Sequence, residues 1–171
     1  MIRCILFDRD GTLGDLADVR YPQTFSPFCD VRAVFSALKS RGYIVGIITN
    51  QSSIARGTGK DYDFNEEFSS YGCDIYEICP HDTQDNCSCR KPKSGMLLSV
   101  CNRLRLQPSE CMVVGDRLSD VACAKNVGAQ GVLVTTGKGE KEREEVCNAY
   151  PDTPCLRRFD EILSILPSVE E

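Results

Sequence analysis

Apolar positions along this chain fall into two patterns, short unbroken runs and stripes spaced three and four residues apart. Cys4–Phe7, Ile44–Ile48, Ile75–Ile78, Cys111–Val114 and Val132–Val134 are nearly continuous apolar runs. Runs this short and this uniformly apolar predict strands buried on both faces of a parallel sheet. Between them the period lengthens. Val31, Val34, Phe35 and Leu38 share one helical face, with Asp30 placed to cap the helix and Gly42 to end it. Ser94 can cap a second helix, with Leu97, Val100, Cys101 and Leu104 on one side. A third helix is predicted from Leu118 to Gly128, and Phe159, Ile162, Leu163 and Leu166 form a last stripe. Strands alternating with helices imply a three-layer α/β fold, a Rossmann-like, doubly wound parallel sheet with right-handed crossovers. A chain of 171 residues has room for one such core and one short insertion, so residues 1–171 are read as one domain.

Composition narrows the class of partner. A net charge of −5 provides no basic field, which argues against nucleic acid. The longest apolar runs are far too short to span a bilayer. The opening segment reaches Asp8 after seven residues, too short and too soon interrupted for a secretory leader, so it is read as a core strand. The expectation is a cytoplasmic monomer that acts neither on membranes nor on nucleic acid. The charge run Lys138–Glu145 reads as a solvated helix face.

Eleven cysteines, an odd count without a secretory leader, do not suggest a disulfide framework. Most stand singly among apolar residues and read as small buried hydrophobes. Cys79, Cys87 and Cys89 differ, because they surround the only histidine, His81. Three thiolates and one imidazole complete a closed tetrahedral set of the kind that holds structural Zn²⁺. Free thiols gathered in so polar a stretch (Asp82-Thr83-Gln84-Asp85-Asn86) would be exposed and reactive. The loop 79–89 is therefore predicted to fold around zinc and to aim Arg90 and Lys91, which follow Cys89 directly.

In a parallel sheet, function collects where strands end, because those loops converge on one crevice. Four polar segments are predicted there: Asp8-Arg9-Asp10-Gly11-Thr12, Thr49-Asn50-Gln51-Ser52, Arg90-Lys91-Pro92-Lys93, and Gly115-Asp116-Arg117 with Asp120. An Asp after a strand is commonly only a turn or cap residue; four such segments at one edge exceed what turn chemistry requires. The carboxylates of Asp8, Asp10 and Asp116 would repel one another without a cation, and Mg²⁺ suits a few carboxylates completed by phosphate oxygens. Lys91, the Thr49 hydroxyl and backbone N–H groups of the turn through Asn50, Gln51 and Ser52 can then hold phosphoryl oxygens. Asp8 can attack phosphorus to give an aspartyl phosphate, while Asp10 protonates the leaving alcohol and later deprotonates water. Asp120 is expected to orient the metal site from behind.

These four segments resemble the four motifs of the haloacid dehalogenase (HAD) superfamily of phosphatases, over roughly residues 2–137. The Asp-Arg-Asp-Gly start, Thr-Asn-Gln-Ser and Cys-Arg-Lys-Pro-Lys resemble its zinc-bearing branch, whose members dephosphorylate histidinol phosphate or a heptose 1,7-bisphosphate. The resemblance implies Asp8 as nucleophile, Asp10 as acid/base, Thr49 and Lys91 on the phosphoryl group, and Asp116 on magnesium. It also implies that Arg90 and Arg117 touch substrate. Many HAD phosphatases carry a cap domain. Here 11–29 and 50–74 are the only candidate insertions and both are too short, so the site is expected to be capless and open to a small phosphorylated metabolite.

Ala55-Arg56-Gly57 and Lys93-Ser94-Gly95-Met96-Leu97 look like the heptose enzymes, which makes a heptose bisphosphate the expected substrate and histidinol phosphate the alternative. Leu13-Gly14-Asp15 and Val19-Arg20-Tyr21-Pro22 depart from the heptose pattern, which has an Asn and then a Tyr-Val there. Two other readings weigh less. Arg56-Gly57-Thr58-Gly59-Lys60 has Ile54 and Asp61 where a phosphate-binding glycine loop needs Gly and Ser/Thr. Receiver domains of signalling proteins share the sheet, the Asp, the Thr and the Lys, but their phosphoacceptor follows the third strand and not the first.

Overall fold

The computed structural model describes residues 1–168. Its strands are β1 (Cys4–Phe7), β2 (Gly14–Leu16), β3 (Phe25–Pro27), β4 (Ile44–Asn50), β5 (Ile75–Cys79), β6 (Cys111–Gly115), β7 (Gln130–Val134) and β8 (Cys155–Leu156). Its α-helices are α1 (Val31–Ser40), α2 (Ser52–Ala55), α3 (Phe64–Ser70), α4 (Gly95–Leu104), α5 (Leu118–Lys125), α6 (Gly139–Ala149) and α7 (Ile162–Ile165). Six strands form one sheet in the order β5-β4-β1-β6-β7-β8, and each neighbouring pair is parallel. The order reverses about β1, as a doubly wound sheet requires. Phe7 stands in register with Ile47 of β4 and Val114 of β6, so the residues after all three strands leave from one edge.

The continuous apolar runs are explained by burial on both faces. Ile5, Phe7, Val45, Ile47, Met112 and Val114 point to one side, under α1, α3 and the ring of Phe159. Cys4, Leu6, Ile48, Cys111 and Val113 point to the other, under α4 and α5. Phe7 stacks on Phe35 of α1 with centroids 5.2 Å apart. Asp30 caps α1 as expected, its side chain accepting from the Ala33 N–H at 3.0 Å.

Several local expectations are corrected. Residues 14–27 contain an antiparallel hairpin of β2 and β3, too short and too polar to show a strand period. The 50–74 segment holds α2 and α3, and Phe64 and Phe68 of α3 join the main core. Ser94 does not cap α4 with its side chain; its hydroxyl donates to the Cys123 carbonyl at 2.7 Å. The helix expected through Gly128 ends at Lys125, and the last stripe is a single 3₁₀ turn followed by the short α7. The charge run lies on α6, which buries only Gly139 and Val146. Among the described residues, no helix is long and apolar enough to cross a membrane.

Candidate active site

Asp8 is the first residue past β1, where its N–H continues the ladder to the Val114 carbonyl at 2.9 Å. Its carboxylate faces a buried ammonium: Lys91 Nζ lies 2.7 Å from Asp8 Oδ1 and 2.7 Å from Asp120 Oδ1. Lys91 also donates to the Ile48 carbonyl at 2.9 Å. Its backbone is held by the Asn50 side chain, with Lys91 N–H to Oδ1 at 3.1 Å and Nδ2 to Lys91 O at 3.3 Å. Burial disfavours the Lys91 charge, but Asp120 and Asp8 outweigh it and its pKa is raised. The ammonium thus stays charged and is fixed against the Asp8 carboxylate.

One ammonium does not neutralise the carboxylates around it. Asp8, Asp116 and Asp120 present oxygens that lie within 4.8 Å of one another. Burial, then the charge of Asp8, raises the pKa of Asp116. Burial also raises Asp120, opposed by Lys91 and reinforced by Asp8. Such a concentration of buried negative charge fits a hard divalent cation. Asp116 is cradled: its Oδ2 accepts the Lys138 N–H at 2.8 Å, and a Cβ added at Gly11 or Gly137 would collide with its carboxylate. Gly11 also has φ of +90°, a conformation costly for any other residue. We expect Gly11→Ala to raise the Mg²⁺ concentration needed for half-maximal activity by about tenfold or more, read from a magnesium titration; an unchanged midpoint would show that Asp116 does not sense its cradle.

The membership of this cluster corrects the sequence reading. Asp10, expected to bring its carboxylate to the metal with Asp8 and Asp116, turns it elsewhere. Its Oδ1 accepts from Arg9 at 2.6 Å and its Oδ2 from Gln51 Nε2 at 2.7 Å. Asp120, expected behind the cluster, contributes an oxygen to it. The first turn of α5 explains why, since the Arg117 N–H holds Asp120 Oδ2 at 3.0 Å and leaves Oδ1 facing Lys91 and the cluster.

A cleft of about 480 Å³ opens above these groups, with Asp8, Asp10, Lys91 and Asp120 in its wall. Asn50, Gln51, Ser52, Arg90 and Arg117 all line it, as expected from sequence. Thr49 is fully buried beneath, its hydroxyl oxygen accepting from Gln51 Nε2 at 2.9 Å. The backbone N–H of Gln51, one of those expected to meet a phosphoryl group, is instead engaged by the Cys79 carbonyl at 2.7 Å. The first loop and the 52–60 turn, expected from sequence to wall the site, do so through Leu16, Val19 and Arg20 of the hairpin segment and through Arg56, none of which sequence reasoning singles out as a site residue. A signal existed for Arg20 and Val19, because they fall where the chain departs from the heptose pattern. Four arginines, Arg20, Arg56, Arg90 and Arg117, thus border one cleft.

Cys79 ends β5, and His81, Cys87 and Cys89 return to it. Four separations are 3.6 Å (Cys79 Sγ to His81 Nδ1), 3.6 Å (Cys79 to Cys87 Sγ), 3.3 Å (Cys89 Sγ to His81 Nδ1) and 3.5 Å (Cys89 to Cys87 Sγ). Zinc bonds of ~2.3 Å to sulfur and ~2.0 Å to nitrogen give tetrahedral edges of roughly 3.5–3.8 Å, so the donors fit that ion. The sulfurs are too far apart for disulfides, and none forms among the described residues. Burial raises the Cys79 pKa; for Cys87 burial is outweighed by the Arg90 amide and the neighbouring thiols, and its pKa falls. The cluster is tied to the cleft through Arg90, whose Nη1 donates to Ser52 Oγ at 2.9 Å and to the His81 carbonyl at 3.2 Å.

A carboxylate after β1, a buried lysine against it and an acidic cluster suited to a divalent cation at one sheet edge define a metal-dependent phosphohydrolase of the HAD class. The HAD-hydrolase-like family matches residues 88–162. D-glycero-beta-D-manno-heptose-1,7-bisphosphate 7-phosphatase of Haemophilus ducreyi is 35% identical, with 88% of this chain and 95% of that protein covered. The enzyme of the same name from Pasteurella multocida is 34% identical over 91% of this chain and 97% of its own length. Among solved structures, D,D-heptose 1,7-bisphosphate phosphatase from B. bronchiseptica, complexed with magnesium and phosphate, superposes with a TM-score of 0.84 at 26% identity, covering 96% of this chain and 97% of that one. The chain belongs to the HAD phosphatases and, within them, to the family of the D-glycero-beta-D-manno-heptose-1,7-bisphosphate 7-phosphatases.

Proposed function

We propose that this phosphatase removes the C7 phosphate of D-glycero-D-manno-heptose 1,7-bisphosphate through an aspartyl phosphate on Asp8. The observation that carries this reading is one cleft with the Asp8 carboxylate in its wall and four arginines at its border. Arg20 and Arg56 pair with Asp18 and Asp82, which leaves Arg90 and Arg117 as charge beyond what Lys91 gives a single transferred phosphoryl group. Asp8 attacks phosphorus, the P–O bond to the sugar breaks, and Asp10 gives its proton to the departing oxygen. Water then attacks the aspartyl phosphate while Asp10 takes a proton from it, releasing inorganic phosphate and restoring the Asp8 carboxylate. Burial raises the Asp10 pKa against the pull of Arg9, which suits a group that must carry a proton. Magnesium, when held by Asp8, Asp116 and Asp120, supplies charge neutralisation on the phosphoryl oxygens. Lys91 and Thr49 hold the phosphoryl group beside it, and Asn50 and Gln51 keep Lys91 and Asp10 in place.

Zinc in this reading is structural. Held by Cys79, His81, Cys87 and Cys89, it would set the loop from which Arg90 and Lys91 reach the cleft. Arg90 and Arg117 supply handles for the second phosphate, since arginine binds phosphate in a geometrically selective way. We expect Arg90→Ala to lower the preference in kcat/KM for the bisphosphate over its monophosphate by about tenfold, or ~1.4 kcal/mol. Phosphate release measured across sugar monophosphates, sugar bisphosphates and histidinol phosphate checks both points. An unchanged ranking in the variant, with histidinol phosphate turned over fastest, would replace the heptose reading with the histidinol phosphate alternative.

A further inference from the structure

Arg9 stands between the nucleophile and the acid/base, yet it is the largest fully buried side chain of the protein's described residues. Its Nε lies 2.9 and 3.0 Å from the two carboxylate oxygens of Glu67, and its Nη2 lies 2.9 Å from Glu67 Oε2 and 2.9 Å from the Pro22 carbonyl. The remaining nitrogen, Nη1, donates to Asp10 Oδ1 at 2.6 Å. Aromatic rings close around it: the guanidinium carbon is 4.0 Å from the centroid of Phe25, 5.4 Å from that of Phe64 and 5.5 Å from that of Tyr62. Glu67, with a side chain only 8% exposed, also accepts the Tyr71 hydroxyl at 3.1 Å. It lies on α3 and is not part of the cleft wall.

We propose that Glu67 is a positioning residue for leaving-group protonation, holding Arg9 so that Arg9 and Gln51 together fix both oxygens of Asp10. A guanidinium buried this deeply must be paired, and its planar fork leaves little freedom once Glu67 occupies one edge. The other edge then meets Asp10 Oδ1 while Gln51 meets Oδ2, so the carboxyl has one orientation in the cleft. Without the Glu67 charge, Arg9 is left with Asp10 as its only carboxylate partner and draws it off that orientation. The inference rests on the reading of Asp10 as the acid. The same contacts would also serve a plain staple between α3 and the hairpin, with no bearing on proton transfer.

Leaving groups separate the two. An alkoxide leaving a sugar phosphate needs the proton, whereas 4-nitrophenolate departs from 4-nitrophenyl phosphate without one. The parameter to compare is kcat/KM, which reports the path up to leaving-group departure and not the later attack of water. For Glu67→Gln we expect a loss of about tenfold or more on the heptose bisphosphate and less than about threefold on 4-nitrophenyl phosphate. Asp10→Asn serves as the reference and should show the same discrimination more strongly. Equal losses on both substrates, or none, in Glu67→Gln while Asp10→Asn discriminates would overturn the positioning role and leave a staple. Equal losses in Asp10→Asn itself would remove the acid role, and the inference with it. Where Glu67→Gln does not fold, as thermal unfolding would reveal, Glu67→Asp keeps the charge and shifts the guanidinium. It must then discriminate in the same sense, and failure to do so overturns the proposal equally.

Discussion

Asp8→Asn will take turnover to background while leaving the fold intact. The amide keeps the shape of the carboxylate and an oxygen for Lys91, which lies 2.7 Å away, but it cannot form an aspartyl phosphate. Stability is the less obvious half. Losing one carboxylate weakens the pairing of a buried ammonium, a costly change in isolation. Lys91 retains Asp120 at 2.7 Å, and the Asp8 charge that raised Asp116 and Asp120 is gone, so the two effects offset. Hydrolysis of phosphate monoesters is among the slowest uncatalysed reactions, with enzymatic enhancements reaching ~10²¹, so no residual route should stand in. Steady-state phosphate release and thermal unfolding of the variant test this. Retention of more than about a tenth of wild-type kcat, a loss below ~1.4 kcal/mol, would exclude Asp8 from the covalent role.

Cys87→Ser should lose zinc and stability together. The loop 79–89 has one short 3₁₀ turn, Thr83–Asp85, and buries none of that turn's residues, so beyond polar ties such as Arg56 to Asp82 at 2.6 Å it has no core of its own and depends on the metal. Lys93 bridges it from outside, donating to the Cys87 carbonyl at 2.6 Å and to Asn86 Oδ1 at 2.8 Å. Structural zinc in small domains is worth on the order of 10 kcal/mol of folding energy. Here the sheet supports itself and only the loop depends on the ion, so a loss of ~2–3 kcal/mol is expected, or roughly 4–12 °C in Tm for a chain of this size. Activity should fall as well, because Arg90 is anchored on the His81 carbonyl. Elemental analysis and calorimetry on the purified variant decide the matter. Wild-type protein that is zinc-free, stable and fully active would contradict a structural zinc.

Much of this was legible in the sequence because the relevant physics is local or periodic. Two-sided burial writes Cys4–Phe7 and Cys111–Val114 as unbroken apolar runs, and parallel register then sends Asp8, Thr49, Lys91 and Asp116 to one edge. The hairpin was not legible: Gly14-Asp15-Leu16 and Phe25-Ser26-Pro27 are each three residues, too few for alternation to register. Helix α3 hid for a similar reason, since Phe64 and Phe68 are its only buried positions. Arg9 reads as a polar turn residue until Glu67, Phe25 and Phe64 are brought around it from distant parts of the chain. That Asp120 rather than Asp10 faces the acidic cluster has a related origin. Sequence places a carboxylate within a few ångströms, but its direction depends also on partners distant in the chain, Gln51 for Asp10 beside its neighbour Arg9, and Lys91 for Asp120 beside the Arg117 N–H.

The most direct measurement of the central claim is phosphorus NMR of the products formed from D-glycero-D-manno-heptose 1,7-bisphosphate with magnesium present. Loss of the C7 signal, growth of inorganic phosphate over many turnovers and retention of the C1 phosphate are the result expected. A bisphosphate left intact, or one stoichiometric phosphoryl transfer without release, would contradict it.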